Sequence, residues 1–176
     1  MSKNDVTIVD CGGRNVSPVL SFFVKAGKGA IAAGEPVKFQ PTGESTGGDG
    51  LYVVPLLDNE PLVTGSSYFL GIAANAASHT ASADGRVEVY IDVPGTIYAA
   101  APKTAGAANT RGKLDSYQFY RIVIDKTSGK YTADLAADSK ARGFVVVGGD
   151  PDNDKVWFVC QSTASWLGMA KQDALQ

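Results

Sequence analysis

His79 is the only histidine of this 176-residue chain, and histidine is the side chain best suited to acid–base chemistry near neutral pH. A Ser-His-Asp hydrolase would require it. Two serines and two aspartates lie close to it in the sequence: Ser66, Ser67, Asp84 and Asp92. His79 itself lies in a run of small residues, AASHTASA, which is typical of a loop. We therefore interpret His79 as a solvated loop residue, predict no catalytic residues and expect the protein not to be an enzyme.

The chain offers few metal ligands at useful spacing. Cys11 and Cys160 are the only cysteines and show no zinc-binding pattern, so we interpret both as reduced, buried small hydrophobes. The run Asp150–Asp154 resembles the start of an EF-hand calcium loop. That loop needs Gly at the position of Lys155 and Glu at the position of Gln161. We predict a polar hairpin loop here, with weak cation binding as the alternative, and no metal site.

A glycine pattern early in the chain matches the letters of a dinucleotide-binding motif. The run Gly27–Ala32 reads GKGAIA and fits G-x-G-x-x-G/A after a strand-like segment. The motif works only when a helix follows and its N-terminal amides hold the pyrophosphate. Gly34 and Pro36 would stop a helix within about one turn. We predict a turn at this position and no bound cofactor.

The clearest element in the sequence is a strand. Four apolar residues alternate with three polar or amphipathic ones: Val87, Val89, Ile91 and Val93 with Glu88, Tyr90 and Asp92. Successive side chains of a strand point to opposite faces, so this pattern predicts a half-buried strand. We expect Val87 to Val93 in the core, Glu88 and Asp92 on a solvated face, and the small-residue loop at 74–83 exposed. Turn signals flank the strand at Asp84-Gly85 and at Pro94-Gly95.

Short strands and turns account for most of the chain. Further strand-like runs lie at 6–9, 19–24, 37–39, 51–57, 68–73, 96–98, 117–125, 131–135, 144–147 and 156–160. Pro55 lacks a ladder donor, which places the run at 51–57 at a sheet edge or bend. The sequence predicts a mainly β protein, a compact barrel or sandwich with long loops and little helix. We predict an N-terminal arm over 1–18 and a β-rich domain over 19–176, with a small C-terminal subdomain from about residue 115 as a further option.

Charge and hydropathy exclude several classes of partner. The net charge is −2, the isoelectric point is about 5.3, and basic residues are scattered, so we expect no nucleic acid partner. No apolar run approaches the length of a membrane span, and the first residues carry no secretory signal. These features predict no membrane partner and synthesis in a cytoplasm. Trp157 and Trp166 are expected in the core or at an interface rather than as sugar-stacking platforms.

Several of the turn and strand motifs together resemble a known family. The segments are Ala33–Val37, Phe69–Ala73, and Asp84–Val89 followed by a Gly turn and Thr96–Tyr98. They are similar to segments of the head-decoration, or capsid cement, proteins of tailed bacteriophages. The resemblance covers roughly residues 25–100. It implies a virion structural protein on the capsid surface that binds the major capsid protein, forms a homotrimer and has no catalytic residues.

We therefore expect a protein made in the host cytoplasm that decorates and stabilises an assembled capsid shell. Extended segments can wrap a partner and order on binding, so the contact elements expected are an arm at Ser2–Val9 and the 101–114 loop. One alternative is another phage structural component or a glycan-binding β-module, for which Trp157, Trp166 and the Asp150–Asp154 loop are the best features. A less favoured alternative is a hydrolase built around His79.

Overall fold

A computed structural model describes residues 6–13, 17–39, 52–56, 69–104, 119–125, 130–134 and 143–160. Within these ranges the chain is all-β, with eleven strands in two antiparallel sheets and no helix. The strands are β1 (Thr7–Cys11), β2 (Val19–Val24), β3 (Pro36–Phe39), β4 (Val53–Pro55), β5 (Phe69–Ala73), β6 (Gly85–Ile91), β7 (Thr96–Ala100), β8 (Phe119–Asp125), β9 (Lys130–Asp134), β10 (Phe144–Asp150) and β11 (Lys155–Cys160). The predicted mainly β fold is confirmed.

The five-stranded sheet has the order β2-β6-β5-β3-β4 and curls until its two edges meet. Phe23 of β2 forms an isolated parallel bridge with Tyr52, the residue before β4. Their rings are 5.7 Å apart, centroid to centroid. Closure of this kind removes the unpaired edges that an open sheet would expose. Pro55 lies on β4, the last strand of the order, where its missing N–H costs no ladder bond, as predicted.

The six-stranded sheet has the order β1-β7-β11-β10-β8-β9. The last strand of this order, β9, contacts the residues that follow β7 in the chain. Pro102 forms a parallel bridge with Ala133 of β9. The amide of Ala133 donates to the carbonyl of Ala101, and the amide of Lys103 donates to the carbonyl of Ala133, each at 2.8 Å. The first residues of the 101–114 loop are therefore held against β9.

The buried hydrophobic residues that the structure describes form two clusters. The first, here called the barrel core, lies inside the five-stranded sheet and consists of Val24, Ile31, Val37, Val53, Leu70, Ala73, Val87, Val89 and Ile91. The second, here called the aromatic core, joins the two sheets and contains Val6, Leu56, Phe69, Ile72, Tyr98, Ala100, Tyr131, Ala133, Phe144, Val146, Val156 and Phe158. Neighbouring rings in the aromatic core meet mostly edge to face, for example Phe69 and Phe144 at 5.2 Å between centroids. β5 supplies both cores, because Leu70 faces the barrel core while Phe69 and Ile72 face the aromatic core.

The alternation predicted for β6 is confirmed along the strand. Val87, Val89 and Ile91 are buried, whereas Arg86 and Glu88 are exposed. The prediction for Asp92 is wrong, because this side chain is only 4% exposed. β6 ends at Ile91, so the period-two pattern no longer decides which way the next residue points.

Gly85 begins β6 because a larger residue does not fit there. A Cβ at this position would collide with the backbone of Ser78 and His79, which lies against it. The 74–84 segment therefore passes directly over the start of the strand. Most of its side chains are exposed, as predicted, although Ala74, Ala77 and His79 are partly buried.

The N-terminal residues join the sheet at one edge. Val6 is buried in the aromatic core, and β1 pairs with β7 through Thr7–Ala99, Ile8–Tyr98, Asp10–Ile97 and Cys11–Thr96. Residues 7–11 of the predicted arm are thus an edge strand. Strands β8 to β11 share this sheet with β1 and β7, and residues of β9, β10 and β11 belong to the aromatic core.

In the C-terminal hairpin, β10 is longer and the turn shorter than the sequence predicted. Gly148 and Gly149 belong to β10 rather than to the loop, so the turn between β10 and β11 is confined to residues 151–154. A bulge between Val146 and Gly148 lets the strand continue through the glycines. Residues 136–142 and the tail at 165–176, with Trp166, lie outside the described residues.

Candidate functional site

The outward-facing side of the six-stranded sheet is largely apolar across four strands. Strand pairing aligns two rows of residues across β1, β7, β11 and β10: Thr7–Ala99–Trp157–Gly148 and Asp10–Ile97–Val159–Val145. Their immediate neighbours along the strands, such as Tyr98, Phe158 and Val146, belong to the aromatic core, so these rows point away from it. We call Ile97, Ala99, Val145, Val147, Trp157 and Val159 the outer face.

Trp157 lies at the centre of the outer face. A Cβ built on Gly148 would lie 3.3 Å from Cε3 and 4.0 Å from Cζ3 of its indole, so the ring rests over the glycine on the neighbouring strand. Any side chain at that position would push the ring aside. On the other flank Trp157 pairs with Ala99, another small residue. Trp157 therefore lies between two small residues on the neighbouring strands.

The outer face remains accessible and carries its charges at its margins. Val147 is 39% exposed, and Ile97, Val145, Trp157 and Val159 are partly exposed, whereas Ala99 beside Trp157 is buried. Asp10 lies on the edge strand, and Lys155 pairs with Asp150 beside the turn. An aromatic ring within an apolar centre, surrounded by a polar rim, is the composition typical of protein interfaces.

The Asp150–Asp154 segment is a polar hairpin turn. One carboxylate oxygen of Asp150 accepts the Asn153 amide at 3.2 Å and the other accepts the Asn153 side-chain amide at 2.7 Å. These bonds from Asn153 lower the pKa of Asp150. In the described part of the chain no group of three or more His, Cys, Asp or Glu residues is arranged to hold a metal ion. Weak cation binding at this turn stays a prediction.

The described residues that were considered for a hydrolase contact different partners and not one another. His79 is partly buried rather than solvated, and its Nε2 lies 2.8 Å from the carbonyl oxygen of Lys28. Asp92 accepts the hydroxyl of Tyr98 at 2.7 Å. Ser66 and Ser67 lie outside the described residues. The pattern Gly-x-Ser-x-Gly of a nucleophile elbow occurs at 43–47, also outside them, and such an elbow requires a strand-to-helix turn.

Asp84 organises a surface network that the sequence did not predict. Its carboxylate accepts the Ala26 amide at 2.9 Å, the Tyr52 hydroxyl at 2.8 Å and the Lys25 ammonium at 3.2 Å. The Ala26 amide first, then the Tyr52 hydroxyl and Lys25 lower the pKa of Asp84. The network bridges β2 and β4 at the closure, and we call Phe23, Lys25, Tyr52, Asp84 and Arg86 the seam cluster.

The aromatic rings of the seam cluster are covered by cations. The guanidinium of Arg86 lies 4.2 Å from the centre of the Phe23 ring, and Lys25 Nζ lies 5.4 Å from that of Tyr52. Phe23 pairs directly with Arg86 across β2 and β6. Sequence reasoning missed these contacts because they depend on the register between segments that are distant in the chain. The rings support closure of the sheet, and the outer face is the better candidate for binding.

Tyr98 and Cys160 are polar side chains of the aromatic core that lie near the Asp92 carboxylate. Burial and the nearby Asp92 carboxylate raise the pKa of Tyr98, and the same two causes raise the pKa of the Cys160 thiol. Both cysteines are free thiols and partly buried, with Cys160 packed against the aromatic core. These groups are enclosed by strands, so they support the fold rather than a surface site.

Comparison with protein-family models, with curated proteins and with solved structures gives no match to this chain. Among the described residues there is also no helix long and apolar enough to cross a membrane. The candidate function therefore depends on the chain itself, and on the outer face in particular.

Proposed function

We propose that this chain is a structural virion protein that decorates and stabilises an assembled phage capsid shell. The observation that carries the proposal is the outer face, a mostly apolar set of residues on four paired strands that includes Trp157. Its partner in this proposal is the major capsid protein, and the subunits act as homotrimers on the capsid surface. The resemblance to head-decoration proteins over roughly residues 25–100 supports the same assignment.

Stabilisation of a shell needs no chemistry from the decorating protein. A ligand that binds only the assembled state stabilises that state by RT ln(1 + [L]/Kd) for each site. Many copies on one shell add such contributions, so each contact can be weak. A surface of side chains fixed on paired strands suits this task, because little conformational entropy is lost when it is covered.

The two contact elements expected from the sequence, the Ser2–Val9 arm and the 101–114 loop, are each partly held in the fold. Val6 is buried and Thr7–Cys11 is paired with β7, so the arm cannot wrap a partner from Val6 onward without leaving the sheet. Ala101 and Lys103 are hydrogen-bonded to β9. The outer face is therefore the main contact surface that we propose.

A charge placed on the outer face tests the proposal. Val147 on the outer face is 39% exposed, and Val19 on the other sheet is 41% exposed, which makes the two valines a matched pair. We expect Val147→Asp to raise the Kd for expanded shells at least tenfold, because the contact would bury an unpaired charge. Val19→Asp should leave it nearly unchanged.

The measurement is cosedimentation with purified expanded shells, together with the shell melting temperature with and without the protein. Wild-type protein should bind and raise that temperature. No binding by the wild type would overturn the proposed function. Equal loss in both valine variants would retain a binding role but reject the outer face as its surface.

One observation favours a glycan-binding module as a second candidate. The β10–β11 hairpin brings the Trp157 ring and the Asp150 turn onto one element, with Asp150 paired with Lys155 two residues from Trp157. A flat indole beside polar groups is able to stack on a sugar ring. A glycan array, read with and without calcium, distinguishes the candidates, since a decorating protein should bind no glycan in either condition.

A further inference from the structure

Among the described strands, β5 leaves one edge of β6 without a strand partner at Arg86 and Glu88. β2 pairs with the opposite edge of β6 along most of its length, whereas β5 pairs only with the last three residues of β6. In an antiparallel pair, the backbone groups of alternate residues point to the same neighbour. The Ile91 amide donates to the Pro18 carbonyl, just before β2, at 2.9 Å. The backbone groups of Arg86 and Glu88 therefore point to the side that β5 leaves open.

The segment that joins β5 to β6 satisfies all four of these backbone groups. The Ala74 amide donates to the Glu88 carbonyl at 2.7 Å, and the Ser78 amide donates to the Arg86 carbonyl at 3.0 Å. The Glu88 amide donates to Asn75 Oδ1 at 2.9 Å. The Arg86 amide donates to Ser78 Oγ at 3.0 Å. A neighbouring strand would accept these two amides with backbone carbonyls, whereas here two side-chain oxygens do so.

Contacts on two sides hold this segment in place. Toward β6 its backbone at Ser78 and His79 lies so close to Gly85 that a Cβ on the glycine would collide with it. On the other side, the Gly27 amide in the loop that follows β2 donates to the Thr80 carbonyl at 3.0 Å. The segment therefore occupies the position of a short strand beside the start of β6.

We propose that the side chains of Asn75 and Ser78 close this edge of β6 and keep it from pairing with a second copy of the chain. An unpaired strand edge is a template for pairing with another chain. This edge is complementary to itself, because antiparallel pairing of two copies over residues 86–88 would place Arg86 of each opposite Glu88 of the other. Both side chains are exposed. This inference does not depend on the proposed capsid function.

Gly85→Ala tests the proposal by displacing the segment, since the added Cβ collides with its backbone. We expect the amides of Arg86 and Glu88 to lose protection from hydrogen exchange about tenfold, because their bonds to the segment are broken. The weight-average mass in sedimentation equilibrium should rise with concentration above that of the wild type. Gly29→Ala, in the loop that follows β2, is the matched control, because a Cβ there has no heavy atom within 4 Å.

A second pair of variants tests the two side-chain oxygens themselves. Asn75→Ala combined with Ser78→Ala removes both acceptors, so the same two amides of β6 should lose protection and the mass should rise as in Gly85→Ala. Asn75→Asp combined with Ser78→Thr retains an acceptor oxygen at each position and should behave as the wild type. The Asp92 amide, which donates to the Leu70 carbonyl at 2.8 Å, is the internal reference and should stay protected in every variant.

Three results would overturn the proposal. The first is unchanged protection of Arg86 and Glu88 when both oxygens are removed, and the second is an equal loss when both are retained. The third is a loss of protection in Gly85→Ala without any rise in mass, which would show that the uncovered edge does not pair with a second copy. Should Gly85→Ala fold poorly, seen as lost protection of the Asp92 amide, the two double variants decide the matter by both measurements.

Discussion

At the scale of single residues, the hydrogen bond between Tyr98 and Asp92 joins a buried hydroxyl to a buried carboxylate. Tyr98 is completely buried and Asp92 is 4% exposed, and their oxygens are 2.7 Å apart. A buried carboxylate is tolerated only when donors surround it. The hydroxyl of Tyr98 is one such donor. The hydrophobic residues of the aromatic core cannot replace this polar contact.

Replacing Tyr98 by Phe removes this donor with little change in shape. We expect the free energy of unfolding to fall by about 2–3 kcal/mol, because a bond to a buried charged acceptor is lost. Tyr131→Phe is the matched control, since its hydroxyl donates at 3.1 Å to the uncharged carbonyl of Leu56. That change should cost about 1 kcal/mol. Urea unfolding of both variants checks the order, and equal losses would contradict it.

The sequence predicted residues well where a regular pattern continues. Val87, Val89 and Ile91 follow the strand period and are buried as expected. Asp92 follows the end of that strand, and its polar character suggested the wrong face. His79 was assigned to solvent from its small neighbours, yet it is partly buried because a distant loop packs on it. Both errors arise where tertiary contacts, rather than local periodicity, decide burial.

At the scale of elements, closure of the five-stranded sheet joins β2 to the segment before β4. Between β2 and the segment before β4, one backbone bridge joins Phe23 and Tyr52. The seam cluster adds its side-chain contacts around Asp84. The bounds of β2 were predicted from the sequence, and those of β3 to within one residue. The closure was not, because no local signal specifies that Phe23 and Arg86 are opposite each other.

Because of the seam cluster, the free energy of unfolding should decrease in acid. The pKa of Asp84 is lowered from its ordinary value of 3.8, so its stabilising contribution is present above that value and is lost as the pH falls through the lower, folded pKa. We expect Asp84→Asn to be less stable than the wild type at pH 6, with the difference shrinking below about pH 4. Urea unfolding at pH 6 and pH 3 measures it.

Asp152→Asn, at an exposed carboxylate in the turn between β10 and β11, is the control for the loss of one negative charge. Its stability relative to the wild type should change little between the two pH values. A gap between the wild type and Asp84→Asn that stays constant from pH 6 to pH 3 would show that the seam cluster does not depend on ionised Asp84.

At the scale of the whole molecule, the first and last described strands lie on either side of β7. Cys11 of β1 pairs with Thr96. Val159 of β11 pairs with Ile97, and the next step of that register places Cys160 opposite Thr96 as well. Two strand spacings of about 4.8 Å therefore separate the cysteines. Disulfides require Cα atoms within about 7 Å, so the register excludes a bond between these two.

We accordingly expect two free thiols per chain after mild air oxidation, counted with a thiol reagent on the unfolded protein. In the native protein Cys160 should react slowly at pH 8, because burial raises its pKa and the thiolate is the reactive species. Cys160→Ser identifies which thiol is slow. A monomer that loses both thiols on oxidation would contradict the register between β1, β7 and β11.

The strand order also has a consequence for synthesis on the ribosome. Every residue of the barrel core lies between Val24 and Ile91, so that sheet is complete in the nascent chain before the other can form. β1 precedes the barrel strands but has no neighbour until β7 appears, and Phe144 and Phe158 follow all of them in the chain. A half-made chain thus exposes Phe69 and Ile72 on an otherwise finished barrel. Of the described strands, β10 and β11 leave the ribosome after all the others and contribute the rings that cover this surface.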